Sequence, residues 1–138
     1  MKTKSLVMVL IGVVIVLASC TKDEKTTTEK IQGKWTFVSD VDTVVINGQK
    51  FPEYYTGTAD DYLTFSSDGK FAFNQDGSSA SGEYSLNNDK LSMTYLVDQV
   101  RYTVLFTITT LTDNSLVIYR KNITDANNYE VEIVTFKK

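Results

Sequence analysis

From Leu63 onward, apolar side chains recur at every second position in short runs, and each run stops at a cluster of Asn, Asp, Ser or Gly. A period of two puts alternate side chains on opposite faces of a strand, and turn residues at such short intervals fold successive strands back on one another. Leu63 and Phe65 precede Ser67-Asp68-Gly69, and Phe71 and Phe73 follow it. Tyr84 and Leu86 lead through Asn87-Asn88-Asp89 into Leu91, Met93, Tyr95 and Val97. Val100, Tyr102, Val104, Phe106 and Ile108 share one face, while Arg101, Thr103, Thr107 and Thr109 on the other read as solvated. After Thr112-Asp113-Asn114 come Leu116, Ile118 and Arg120, and the chain closes with Tyr129, Val131 and Ile133 alternating with Glu130 and Glu132. With Lys34 to Ile46 as the first, about eight strands are joined mostly by short turns, and no capped stretch of helical period accompanies them. The fold class is therefore all-β. An antiparallel up-and-down eight-stranded barrel leaves no edge strand and needs no long crossing connection; a β-sandwich is the alternative.

The N-terminus has a different character. Lys2 and Lys4 precede an uncharged run from Leu6 to Leu17, followed by Ala18, Ser19 and the single cysteine, Cys20. Positive, apolar and small-residue parts in that order make a secretory signal. As a helix the run is only ~18 Å long, too short for a hydrocarbon core of ~30 Å. Leu17-Ala18-Ser19-Cys20 resembles the lipobox of bacterial lipoproteins. That resemblance implies cleavage before Cys20, a diacylglycerol on its thiol, and an acyl chain such as palmitate on the new amine. Two or more acyl chains hold a protein on a bilayer where one is marginal. Residues 1–19 are then a signal peptide, 20–30 the lipidated cysteine and a flexible tether, and 31–138 one domain of 108 residues. Lys22-Asp23-Glu24 resembles the charged export signals of some Gram-negative lipoproteins, so an outer-membrane, cell-surface location is expected; an ordinary solvated linker is the other reading.

The formal charge is −3, falling to −5 once Lys2 and Lys4 leave with the signal. That balance argues against nucleic acid, which needs a basic face. There is no histidine, and the one cysteine is taken by lipid, which removes Cys-His and Ser-His-Asp catalysis and the common zinc sets. Asp40 and Asp42 lack the Gly and Glu of a calcium loop. Asp60-Asp61 reads as a solvated cap before a strand. Glu130 and Glu132 stand roughly 7 Å apart on one strand face, a glycosidase-like spacing, yet their alternation with Val131 and Ile133 turns them to solvent. No catalytic residue, metal ligand or cofactor is assigned, and the protein is not expected to be an enzyme.

Gly33-Lys34-Trp35 resembles the Gly-x-Trp motif that begins the first strand of lipocalins. Leu63-Thr64-Phe65-Ser66-Ser67-Asp68-Gly69, Gly82-Glu83-Tyr84-Ser85-Leu86 and Leu111-Thr112-Asp113-Asn114-Ser115-Leu116 follow in the order seen in lipocalin-like domains of bacterial lipoproteins. The resemblance implies an eight-stranded barrel whose closed end is plugged by Trp35, with the connection after the first strand covering the open end. Here Asn47-Gly48 forms a tight turn, and Phe51, Tyr54 and Tyr55 lie around Pro52 in what reads as the longest irregular connection. These aromatics, with Tyr102, Arg101 and Arg120 at the rim, are the candidate ligand contacts. If the remaining aromatics point inward they fill much of the interior, so a shallow site at the mouth is expected and a large cavity is not. The expected function is non-catalytic binding of a small apolar or amphipathic molecule, or a glycan. The rival is a filled barrel whose loops meet a protein partner or inhibit an enzyme in a cell-surface complex.

Overall fold

The computed structural model describes residues 25–138; the leader, the lipobox and Cys20 lie outside them. A short helix, α1 (Thr27–Ile31), is followed by nine strands: β1 (Gly33–Ile46), β2 (Gln49–Thr56), β3 (Tyr62–Phe65), β4 (Lys70–Gln75), β5 (Ser78–Asn87), β6 (Lys90–Val97), β7 (Val100–Leu111), β8 (Ser115–Ile123) and β9 (Tyr129–Lys137). All pair antiparallel with their neighbours, and β9 returns to pair with β1. The ring that closes contains eight strands, β1 and β3 to β9, as the alternation predicts.

The ninth strand exists because β1 is longer than its neighbour. Its first residues, Gly33 to Thr36, pair with β3, while Ser39 to Ile46 pair with β2 along the same edge. The segment containing Phe51, Pro52, Tyr54 and Tyr55 is therefore a strand and not an irregular loop. Pro52 is tolerated because, among the described residues, β2 has β1 as its one strand neighbour and its other edge is unpaired. Asn47 and Gly48, both at positive φ, form the turn between them as expected.

The core lies at one end of the ring. Trp35, Phe65, Leu91, Leu116 and Ile31 are fully buried, and Phe37, Leu63, Phe71, Ile118, Val134 and Phe136 pack above them. Gly33 sits at φ +108°, a conformation side chains avoid, and from there the chain turns Trp35 inward. The indole N–H donates to the Ile31 carbonyl at 2.6 Å, so α1 is fastened across the closed end. Thr26 and Glu29 cap that helix reciprocally, a box overlooked in a stretch read as tether. Lys138 adds a cation over the Trp35 ring at 4.4 Å and donates to the Lys30 carbonyl. Gly82 faces Phe71 and Tyr95 across the sheet; a Cβ there would collide with the Thr94 carbonyl oxygen. The ring closes on itself around one core within residues 25–138.

Candidate functional site: the barrel mouth

Phase along the strands decides what faces inward. In β9, Val134 and Phe136 are buried, which places Glu132 and Glu130 on the same inner face. Ile133 is 39 % exposed on the outside. The expected outward pair is thus reversed. In β1 the register shifts between Phe37 and Ser39, so that Asp40 stands opposite Val134 and Asp42 opposite Glu132. Asp40 and Asp42 consequently follow Phe37 on the inner wall. In β8, Ile118 is followed inward by Arg120, which pairs in register with Glu132.

The result is an apolar floor with a charged collar. Glu53, Asp42, Glu132 and Arg120 form one row across β2, β1, β9 and β8. Arg120 Nε lies 2.7 Å from Glu132 Oε2, an ion pair bent away from hydrogen-bond linearity, and Arg120 Nη2 lies 3.5 Å from Glu130 Oε1. The guanidinium also rests 5.8 Å from the centre of the Phe106 ring. Asp40 Oδ1 and Asp42 Oδ1 are shielded from solvent and have no hydrogen-bond partner among the described residues. Burial, then the Asp42 charge, raises the Asp40 pKa; burial, then Glu130, raises that of Asp42. Burial raises Glu132 as well, with Arg120 pulling the other way. No grouping of carboxylates among the described residues has the geometry to hold a metal ion.

Beneath the collar is a cavity of about 210 Å³, partly open to solvent. Phe71, Phe73, Met93, Phe106 and Ile118 supply apolar wall, and Gln75, Arg120 and Glu132 supply its polar side. The inward aromatics therefore do not fill the barrel. This volume exceeds the roughly 150 Å³ that accepts a benzene molecule.

Asp61 is 2 % exposed and is no solvated cap. Its carboxylate accepts from the Thr58 N–H at 2.7 Å, the Thr58 hydroxyl at 2.8 Å, the Tyr55 hydroxyl at 2.7 Å and the Asp76 N–H at 2.9 Å. These donors, the Thr58 amide first, hold it well below the usual carboxylate range, and the bond to Asp61 pushes Tyr55 up to about 12. Asp61 thereby ties the free side of β2 to the turn after β4.

Of the residues expected at the mouth, the structure brings Arg120 to the cavity wall. Tyr55 faces inward beside Phe37, with ring centres 5.7 Å apart, but its hydroxyl is engaged by Asp61. Phe51 shares that strand face two rows higher and is half exposed. Tyr54 has the opposite phase and is 75 % exposed. Tyr102 stacks on Tyr95 at 6.1 Å at the upper rim, and Arg101 alternates to the outer surface beside Glu83 and Leu96. Sequence reasoning set aside Asp40, Asp42, Glu130 and Glu132; the signal that places them inside is Val134-x-Phe136, which fixes the phase of β9.

No curated protein is matched by the sequence at a significant level. A lipocalin-like domain family does match, over residues 21–118. That match spans more than two thirds of the chain and agrees with the closed antiparallel ring, and the protein is a member of the lipocalin-like domain family.

Proposed function

We propose that the protein is a lipid-anchored, non-catalytic binding barrel that takes a small apolar or amphipathic molecule, or a glycan, at its mouth. The observation that supports this reading is the 210 Å³ cavity, apolar below and polar above, open to solvent. A barrel serving only as a scaffold for loops has no use for such a space, and filling it would stabilise the fold. The test is a thermal melt of the soluble chain from Thr21 to Lys138 with fatty acids, sterols, bile acids and short glycans, followed by native mass spectrometry of any hit. A ligand at ~100 times its Kd adds ~2.7 kcal/mol. A shift that Phe106→Ala weakens supports carriage. No shift from a cooperatively unfolding domain refutes it.

One observation favours the second reading, an interaction module. Ile46, Val97, Val100 and Ile123, at the hairpins ringing the mouth, are each about half exposed or more. In that case a protein partner, not a small molecule, covers the rim. The anchor rests on the lipobox resemblance and on Cys20. Mass spectrometry of the mature N-terminus checks it: an acylated Cys20 is expected, and a mature chain starting elsewhere refutes the anchor and the outer-membrane location with it.

A further inference from the structure

The cavity wall carries two charged side chains, and they are committed to each other. Arg120 Nε stands 2.7 Å from Glu132 Oε2, and Nη2 of the same guanidinium stands 3.5 Å from Glu130 Oε1. Arg120 Nε and Glu132 Oε2 are both withdrawn from water. In such surroundings a charge that loses its partner is strongly disfavoured. Asp40 and Asp42 are not part of the lining, and Asp40 has Gln75 and Arg120 beside it. A carboxylate entering the cavity to meet Arg120 therefore lands next to Glu132 and Glu130. An ammonium entering to meet Glu132 lands next to Arg120. Either ion gains one partner and one like charge, and leaves its own hydration behind.

The same pair has hydrogen-bonding capacity to spare. A guanidinium has five N–H donors and a carboxylate about four acceptor positions, more than one ion pair uses. A hydroxyl donates and accepts at once, so it can accept an Arg120 N–H and donate its O–H to Glu132 without separating them. Gln75, on the inner face of β4 with Phe71 and Phe73, is a further uncharged donor and acceptor. Below these groups the floor is apolar, and its 210 Å³ suits a single ring, since about 150 Å³ accepts benzene.

We infer that the ligand of this cavity is an uncharged alcohol or phenol: one ring or a short apolar chain against Phe71, Met93 and Phe106, with a hydroxyl at the Arg120–Glu132 pair. The inference rests on the binding reading above and narrows it. Among the classes which that reading admits, it excludes fatty acids and bile acids by their carboxylates, and glycans by their lack of an apolar body.

Three probes of nearly one size separate the possibilities at neutral pH: benzyl alcohol, benzylamine and benzoate. Met93 lines the cavity, and the other two methionines, Met1 and Met8, belong to the leader, so a methionine methyl signal reports on this site. The chain is expressed from Met1 with ¹³C-methyl methionine and placed in phosphatidylcholine nanodiscs if it carries lipid; Met93→Leu assigns the resonance. Benzyl alcohol is expected to shift that resonance with a Kd at least ~10-fold below those of the two ions. Glu132→Gln is expected to tighten benzoate ~10-fold or more, and Arg120→Gln to do the same for benzylamine. The comparison in the parent protein stands even where a variant does not fold. Benzoate or benzylamine binding as tightly as the alcohol overturns the inference and leaves the binding reading standing. So does toluene matching benzyl alcohol, since the hydroxyl would then contribute nothing. Folded variants that discriminate as the parent does also overturn it, because the pair would not be what reads the charge. If no probe moves Met93 in a cooperatively unfolding protein, the inference and the binding reading both fall.

Discussion

Three leucines of the core differ in one respect that the cavity makes measurable. Leu91 and Leu116 are fully buried at the closed end, whereas Leu63 is 3 % exposed and borders the cavity. Truncating a packed leucine to alanine removes its transfer free energy and opens a hole, at a total cost of about 2.7 to 5.0 kcal/mol, rising by ~24 cal/mol per Å³ of new void. For Leu91→Ala and Leu116→Ala, surrounded by Trp35, Phe65 and Phe136, about 4 kcal/mol is expected. Leu63 already faces space on one side, and atoms without a close partner have forfeited a quarter to a half of their dispersion energy there. The volume released by Leu63→Ala also joins space that solvent reaches, so about 2 to 3 kcal/mol is expected. At about 4 °C per kcal/mol for a domain of this size, the floor variants should melt roughly 16 °C below the parent and Leu63→Ala roughly 10 °C below. Urea unfolding followed by circular dichroism measures the free energies directly, with unchanged m-values as the control. If the three variants agree within about 0.5 kcal/mol, or Leu63→Ala costs the most, the site beside Leu63 is packed and the argument for a binding barrel loses its basis.

The collar and the latch make their own predictions. Asp42 stands between Glu53 and Glu132, and like charges in cross-strand pairs cost roughly 0.2–1 kcal/mol, so Asp42→Asn should stabilise the barrel by about that amount at pH 7.5. Because the folded pKa values of Asp40, Asp42 and Glu132 are raised, their penalty is full above those values and disappears below the unfolded ones. Melts near pH 3.5 should therefore show no advantage for Asp42→Asn, and an equal advantage at both pH values would contradict the assignment. Asp61 behaves oppositely: its depressed pKa contributes stability that is present above its unfolded value and lost as pH falls below it. Asp61→Asn puts an amide where the Asp76 N–H or the Tyr55 hydroxyl donates, and hydrogen exchange of the β2 amides should quicken while those of β7 hold. Trp35→Phe removes the bond to Ile31, at a net cost of about 1 kcal/mol or more, and α1 should exchange freely; protected α1 amides would show that the indole is not what fastens it.

The closed end was legible in the sequence because its rules are redundant there. Gly33 and Trp35 announce the first strand, and the period-two aromatics of β3 to β7 agree with one another about which face is inner. At the mouth the usual sign of the alternation is inverted. Asp42, Glu130 and Glu132 face inward, while Val41, Val131 and Ile133 cover the outside of the β1–β9 pair. An apolar residue is then no guide to the core, and only the phase carried up from Val134 and Phe136 gives the right answer. A one-residue register shift after Phe37 adds a second difficulty, since it reverses the phase of β1 with no glycine or proline to mark it. The same inversion gives Glu132 the burial and the Arg120 partner that a solvent-facing phase denies it. Asp61 was misread for a different reason: two of its four donors come from Thr58 in its own loop and a third is the backbone N–H of Asp76 in the turn after β4, and no spacing in the sequence advertises them.

The position of α1 has a consequence for how the molecule stands. Lys25 pairs with Asp113 in the turn between β7 and β8, at the end of the barrel that holds Trp35. Only five peptide links separate Lys25 from Cys20, a reach of at most ~18 Å. The twelve residues of β7, tilted as barrel strands are, raise the mouth ~30 Å above that end. With Cys20 as the proposed anchor, the barrel stands on its plug like a cup on a table. On that proposal its opening would face away from the bilayer, and a bound molecule would arrive from the water in front of it and not from the lipid beneath.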